Sequence, residues 1–247
     1  MRHTVLVLVL ALLAPTAARA ELFADVFTGK SFTADTDLHI EQSSRRNDFT
    51  FHDVSFDDRS FDLPPYYGLR AGYFFESHPW LGVGVEYFHF KIYADTEEAK
   101  HLTGTVGGAR VDRVARVDSL VQHFDVSHGV NYIMVNGIAR QVFFADPERF
   151  PHGRVQLYGG GGVGPVIGHP ENTVQHVDNT QQYELAGVGG QFFTGAKWLF
   201  CRWGGVYAEY KYTLSDLDVS VAGGSGDVAE QTHHIVVGLT ATLPQLW

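Results

Sequence analysis

Apolar positions along this chain recur at every second residue, in segments separated by polar or turn-rich stretches. Successive side chains of a strand point to opposite faces, so this period marks strands with one apolar face. Alternation together with aromatic and β-branched content predicts strands near residues 22–32, 66–75, 81–93, 130–143, 155–167, 183–199, 205–214 and 232–243. In the second, Tyr67, Leu69, Ala71, Tyr73 and Phe75 make one row, while Gly68, Arg70 and Gly72 make the other. In the seventh, Val206, Ala208, Tyr210 and Tyr212 oppose Tyr207, Glu209, Lys211 and Thr213. Charge confined to one parity does not suit an apolar core. It suits a narrow polar interior inside a sheet whose other face meets lipid.

The connections alternate in length. Residues 76–79, 146–153 and 200–204 are short links, whereas 33–65, 94–129, 168–182 and 215–231 are long and polar. Short turns at one end and long loops at the other is the membrane-barrel arrangement, and termini on the short-turn side require an even strand number. The expected fold is all-β: an eight-stranded antiparallel up-and-down transmembrane β-barrel with long extracellular loops. A barrel of that size is filled by its own side chains, which argues against an open porin. Gly159-Gly160-Gly161-Gly162 lacks the Lys-Ser/Thr of a phosphate loop and reads as strand.

The two ends add an address. Arg2 and His3, the apolar run Thr4 to Ala14 and Ala18-Arg19-Ala20 form a signal-peptide pattern, so residues 1–20 are expected to be cleaved from a barrel domain of 21–247. The run is too short to span a bilayer as a helix. No cysteine follows the cut, so a lipoprotein is not expected. At the other end Ile235, Val237, Leu239, Ala241 and Leu243 share a face whose parity continues to Trp247. A last strand ending in an aromatic residue resembles the assembly signal of bacterial outer-membrane barrels. The barrel-assembly machinery is the partner this implies, and the outer membrane of a Gram-negative bacterium is the location. Taken alone, the segment also fits an edge strand of a secreted sandwich.

Composition changes the picture in two places. A formal charge of -10 disfavours nucleic acid as a partner. Lipopolysaccharide remains open to it through bridging divalent cations or local basic residues. Cys201 is the only cysteine, which excludes an internal disulfide and a multi-cysteine metal site. A monomer is expected.

Candidate chemistry gathers at the strand ends on the loop side. His89 and Lys91 share the outward parity of Val83, Val85 and Tyr87, at a rim where outer-leaflet phosphates lie. They either contact those phosphates or anchor the rim as snorkelling basic side chains. His234 points inward beside the strand carrying Lys211 and Glu209, His233 points outward, and Arg70 faces Glu86 across adjacent strands. Glu86, His234 and Lys211 are therefore the catalytic candidates, able to hold a metal or move protons. His89, Lys91, Arg70, Asn131 and His233 are the substrate-binding candidates. The other reading of the inward set is a satisfied polar plug. Ser127 and His128 are adjacent and point to opposite faces, so they make a poor nucleophile–base pair.

Several segments carry a family likeness. They are Pro64-Pro65-Tyr66-Tyr67-Gly68-Leu69-Arg70-Ala71, Val83 to Asp95, Ser127 to Arg140, Tyr207 to Val219 and Thr232 to Leu243. Together they resemble OmpA-like outer-membrane barrel domains, in particular alphaproteobacterial barrels similar to lipid A oxidases. The resemblance covers most of the chain outside the loops. It implies action on lipid A, oxidising the proximal glucosamine with molecular oxygen and a divalent cation, and it supplies no catalytic motif to transfer. The loop 94–129 is long for such a barrel, and Arg110 to Asp118 is expected to extend the flanking strands as a hairpin. The residues themselves leave a lipid A enzyme and a non-enzymatic structural or surface-interaction barrel equally open.

Overall fold

The computed structural model describes residues 21–243, so the expected leader and Trp247 lie outside the described residues. Fifteen strands form one sheet among them: β1 (Glu21–Thr33), β2 (Thr36–Gln42), β3 (Asn47–Val54), β4 (Phe56–Asp57), β5 (Tyr67–Phe74), β6 (Leu81–Ala94), β7 (Ala99–Val106), β8 (Ala109–Arg116), β9 (Val121–Phe143), β10 (Val155–Gly168), β11 (Glu171–Val174), β12 (Val177–Asp178), β13 (Glu184–Cys201), β14 (Gly204–Val221) and β15 (Gly224–Leu243). The antiparallel pairings run β1–β5–β6–β9–β10–β13–β14–β15, and β15 pairs back with β1 from Leu22↔Leu243 to Thr33↔Thr232. That path closes on itself.

The remaining strands lie in the connections expected to be polar loops. The upper half of β15 pairs β2, β2 pairs β3, β3 pairs β7 and β7 pairs β8. Arg110 to Arg116 therefore falls in a separate β7–β8 hairpin, with Val117 and Asp118 in the 3-10 turn that follows, and does not extend the flanking strands, although β6 and β9 are themselves long. The connection 215–231 is a continuation of β14 and β15 around Ala222-Gly223. In this extension the polarity of the two faces is reversed. Leu217, Val219, Val221 and Val228 are buried with Leu38, Ile40, Phe49, Phe51 and Phe124, while Asp216 and Asp218 are exposed. Lower down the same strands, Val206, Tyr210, Leu214, Ile235, Val237 and Leu239 are the exposed residues, and Glu209, Lys211 and His234 are buried.

Inside the closed path the charges are paired. Arg70 donates from Nε to Glu86 (3.0 Å) and from both terminal nitrogens to Glu209 (2.8 Å each). Lys211 is bonded to Glu86, and Lys197 donates to Asp25 at 2.8 Å. Asn136 and Gln191 donate to Glu86 at 3.0 Å each, and Tyr158 donates to Glu209 at 2.9 Å. Nearer the short turns Arg140 pairs with Glu21. Among the described residues these four basic side chains meet four acids, and Glu230, buried higher on β15, is held instead by the hydroxyls of Tyr132, Thr213 and Ser215. A partner for each is the condition for burying them at all.

Several of the inward glycines, Gly68, Gly72 and Gly160 among them, lie under aromatic rings. A Cβ on Gly68 would lie 2.2 Å from the Phe27 ring. The cations then sit against rings, Lys211 over Phe88 at 4.0 Å and Arg70 over Phe193 at 4.5 Å, adding cation–π attraction to the ion pairs.

Two predictions follow from this arrangement. Arg70→Leu strands Glu86 and Glu209 in the interior and should lower stability by about 3–5 kcal/mol in urea unfolding; a loss below about 1 kcal/mol would contradict the network's role. In the extension, His39 is within 3.0 Å of Asp48 and 3.2 Å of Asp227. Burial lowers its pKa, but the two hydrogen bonds and carboxylate charges outweigh burial and raise it above the ordinary 6.5. A raised folded value means the contribution is full below the unfolded pKa and is lost as pH rises through the folded one. Amides of β2 and β3, corrected for intrinsic rate, should thus exchange faster at about pH 8 than at about pH 6, and His39→Asn should remove the difference.

Candidate functional site

The site is built on a break in the β9 ladder. On β6 the pairing steps from Phe90↔Val130 to Ile92↔Val126, so one residue of β6, Lys91, stands opposite three of β9. On the other flank Gly168 pairs Val130 while Glu171 pairs Asp125. Residues 127–129 form a bulge between two strands. Bulges of this kind re-aim side chains and are common beside sites. Gly129 makes it with φ +112°, and a Cβ there would lie 2.0 Å from the His89 ring.

Below the bulge a cleft of about 490 Å³ opens on the outer face of the sheet. Pro64, Tyr67, Tyr87, His89, His128, Asn131, Ile133, Ile167 and Tyr183 line it. Tyr87 donates to Asn131 Oδ1 at 2.7 Å, and His89 Nδ1 lies 3.1 Å from the same oxygen. Asn131 Nδ2 donates to the carbonyls of Gly129 (2.9 Å) and Ile167 (3.1 Å), which fixes the amide orientation. The Tyr67 ring stacks on His89 at 5.1 Å. The cleft thus offers phenols and an imidazole where the exposed apolar row gives way to polar chain.

Above it His128, His169 and Glu171 converge, each presenting one ligand atom within 4.8 Å of the others. His128 Nδ1 lies 2.5 Å from Glu171 Oε1, the two imidazole rings are 4.7 Å apart, and Tyr183 packs on His169 at 4.7 Å. Two imidazoles and a carboxylate can bind a divalent metal.

The candidates from the sequence separate into three places. Glu86, Lys211 and Arg70 meet in the interior network. His234 sits above them against Thr213 Oγ1 at 2.9 Å, and Tyr66, Phe88 and Phe90 pack around its ring. All four side chains are buried. Aromatic rings enclose these catalytic candidates, which are bonded within the interior. His89 and Lys91 have outward parity yet are also buried, because the chain between β4 and β5 folds over them and Lys91 donates to the Asp62 carbonyl at 3.0 Å. The lipid-exposed anchor reading of these two is thereby corrected. Asn131 and His89 belong to the cleft. His233 is exposed on β15, outside it, with Nδ1 2.6 Å from Tyr210 Oη. Sequence reasoning missed Tyr67, Tyr87, Tyr183 and Glu171 as site residues. The signal available for the first three was their place at strand ends beside His89 and His169. Glu171 carried none.

No protein-family model matches the chain, and no curated protein matches it. Among solved structures it is similar to Neisserial surface protein A (12% identity, 90% of this chain and 96% of that one, TM-score 0.42). It is also similar to the outer membrane protease OmpT from Escherichia coli (9%, 94% and 100%, TM-score 0.43). A third is the outer membrane protein OprG from Pseudomonas aeruginosa (11%, 92% and 98%, TM-score 0.42).

Gly129→Ala tests the bulge. It places a side chain at positive φ and against His89, so it should cost about 1–3 kcal/mol of stability and shift the His89 ring resonances. An unperturbed His89 spectrum would show that the bulge does not set the cleft.

Proposed function

We propose that the chain is an eight-stranded outer-membrane β-barrel that binds a lipopolysaccharide headgroup in its outward cleft. The observation that carries this reading is the place of the cleft, on the outer face where the exposed apolar row ends and the polar extension begins. The closed path has eight members, and strands of 9–11 residues suffice to cross a bilayer when tilted. Trp80, Trp198 and Trp203 are exposed near the short turns, while Tyr67, Tyr183 and Tyr210 are exposed toward the other edge. Aromatic girdles at two interfaces support the same placement. The leader would direct export and be removed after Ala20, and the last strand with Trp247 would engage the assembly machinery.

The phenols and imidazole of the cleft fit sugar hydroxyls and phosphate oxygens, and Ile133 and Ile167 fit the start of an acyl chain. The charged chains of the interior are bonded to one another, as suits a barrel filled by its own side chains. Lipid A oxidation, implied by the family likeness, gains nothing from Glu86, His234 and Lys211, which no substrate reaches through the aromatic cover. The reading favoured here is headgroup binding at the lipopolysaccharide layer.

The test is co-purification in mild detergent from cells expressing the chain, with lipid A measured by mass spectrometry. Tyr87→Ala with Asn131→Ala should reduce bound lipopolysaccharide about tenfold, the loss of about 1.4 kcal/mol, while the folded fraction stays the same. Equal recovery with both variants would remove the cleft from the function. A mass shift of lipid A that depends on the chain would replace binding by turnover.

A further inference from the structure

The structure assigns a binding site for a divalent transition metal, of the zinc class, to His128, His169 and Glu171. The three come from different elements: His128 from the β9 bulge, His169 from the link between β10 and β11, and Glu171 from the first position of β11. The β11–β9 pairing fixes Glu171 relative to β9, so the group is not a chance meeting of mobile side chains. His169 Nδ1 is buried without a hydrogen-bond partner, and Nδ1 is one of the two atoms through which an imidazole binds metal. A histidine with an unpartnered ring nitrogen, grouped with a carboxylate and a second imidazole, is a set a metal ion would complete.

The donor set selects the metal. Two nitrogens and one oxygen disfavour calcium and magnesium, which take oxygen ligands, and favour zinc and its neighbours. With metal–ligand bonds near 2.0–2.2 Å, tetrahedral ligands lie about 3.4 Å apart. The three ligand atoms lie within 4.8 Å of one another, close to that spacing. His128 is 56% exposed and Glu171 20%, so an ion reaches the site from outside without opening the sheet. Three protein ligands leave a fourth position, and His128 also lines the cleft.

The purified folded chain is titrated with ZnCl2 by calorimetry, and with CoCl2 by visible absorption. The expected result is one zinc per chain in the micromolar range or tighter, with the intense bands of tetrahedral cobalt. His169→Ala and the conservative Glu171→Gln should each weaken binding at least tenfold and abolish those bands. His39→Ala, in the extension, should leave both unchanged. Thermal unfolding of every variant without metal establishes that it is folded, and Glu171→Gln keeps the side-chain volume if His169→Ala does not fold. Binding that survives both substitutions, absence of tight binding in the unaltered chain, or octahedral cobalt spectra would each overturn the assignment. The readout is metal occupancy and geometry, so it stands or falls separately from lipopolysaccharide binding.

Discussion

Closing a narrow sheet puts its inward side chains where bulk water does not reach them, and among the described residues this chain places eight ion-paired side chains there, with Glu230 held by hydroxyls. Arg70, Lys197, Lys211 and Arg140 face Asp25, Glu86, Glu209 and Glu21. A buried charge without a partner is costly enough to unfold a domain of ordinary stability, so each must be answered within the interior. Two of the pairs join strands far apart in sequence: Arg70 on β5 holds Glu209 on β14, and Lys197 on β13 holds Asp25 on β1. The network therefore does more than neutralise. It sets which strands stand opposite one another across the interior, while the backbone ladder sets which stand side by side.

The same strands change character along their length. Their lower parts expose leucine, valine and tyrosine and bury charge; their upper parts expose aspartate and bury Leu217, Val219 and Val221. Neither half makes sense in the other's surroundings. An apolar exterior around a polar interior is stable against lipid, and the reverse is stable against water. The crossover gives the molecule a level, and the bulge of β9, the cleft and the His128–His169–Glu171 group all lie near it. In the membrane setting proposed above, a site there would have lipid below and water above, which is where a headgroup would lie.

The lower strands were legible because each keeps period two with one apolar face, as 66–75 and 205–214 do. The extension was not, although 215–221 keeps the same period. Its exposed positions, Asp216 and Asp218, carry the charge expected of a loop, and the inversion of faces has no local mark. For the candidate site the parity of His89 and Asn131 was readable. The burial of His89 and Lys91 was not, since it depends on a segment about thirty residues earlier folding back. Glu171 lies 43 residues from His128, and only the two-residue offset in β9 brings them together. An offset of that kind leaves a positive-φ glycine as its sole trace, and Gly129 alone does not say which residues it will gather.

The central claim is that β14 passes from lipid to water between Leu214 and Asp216 while its faces exchange polarity. Cys201 is exposed, so a Cys201→Ser background permits single nitroxide labels at positions 206, 208, 210, 216 and 218 in reconstituted bilayers. The account predicts high oxygen and low nickel-chelate collision at the first three positions, and the opposite at the last two. Nickel chelate reaching all five positions alike would contradict it.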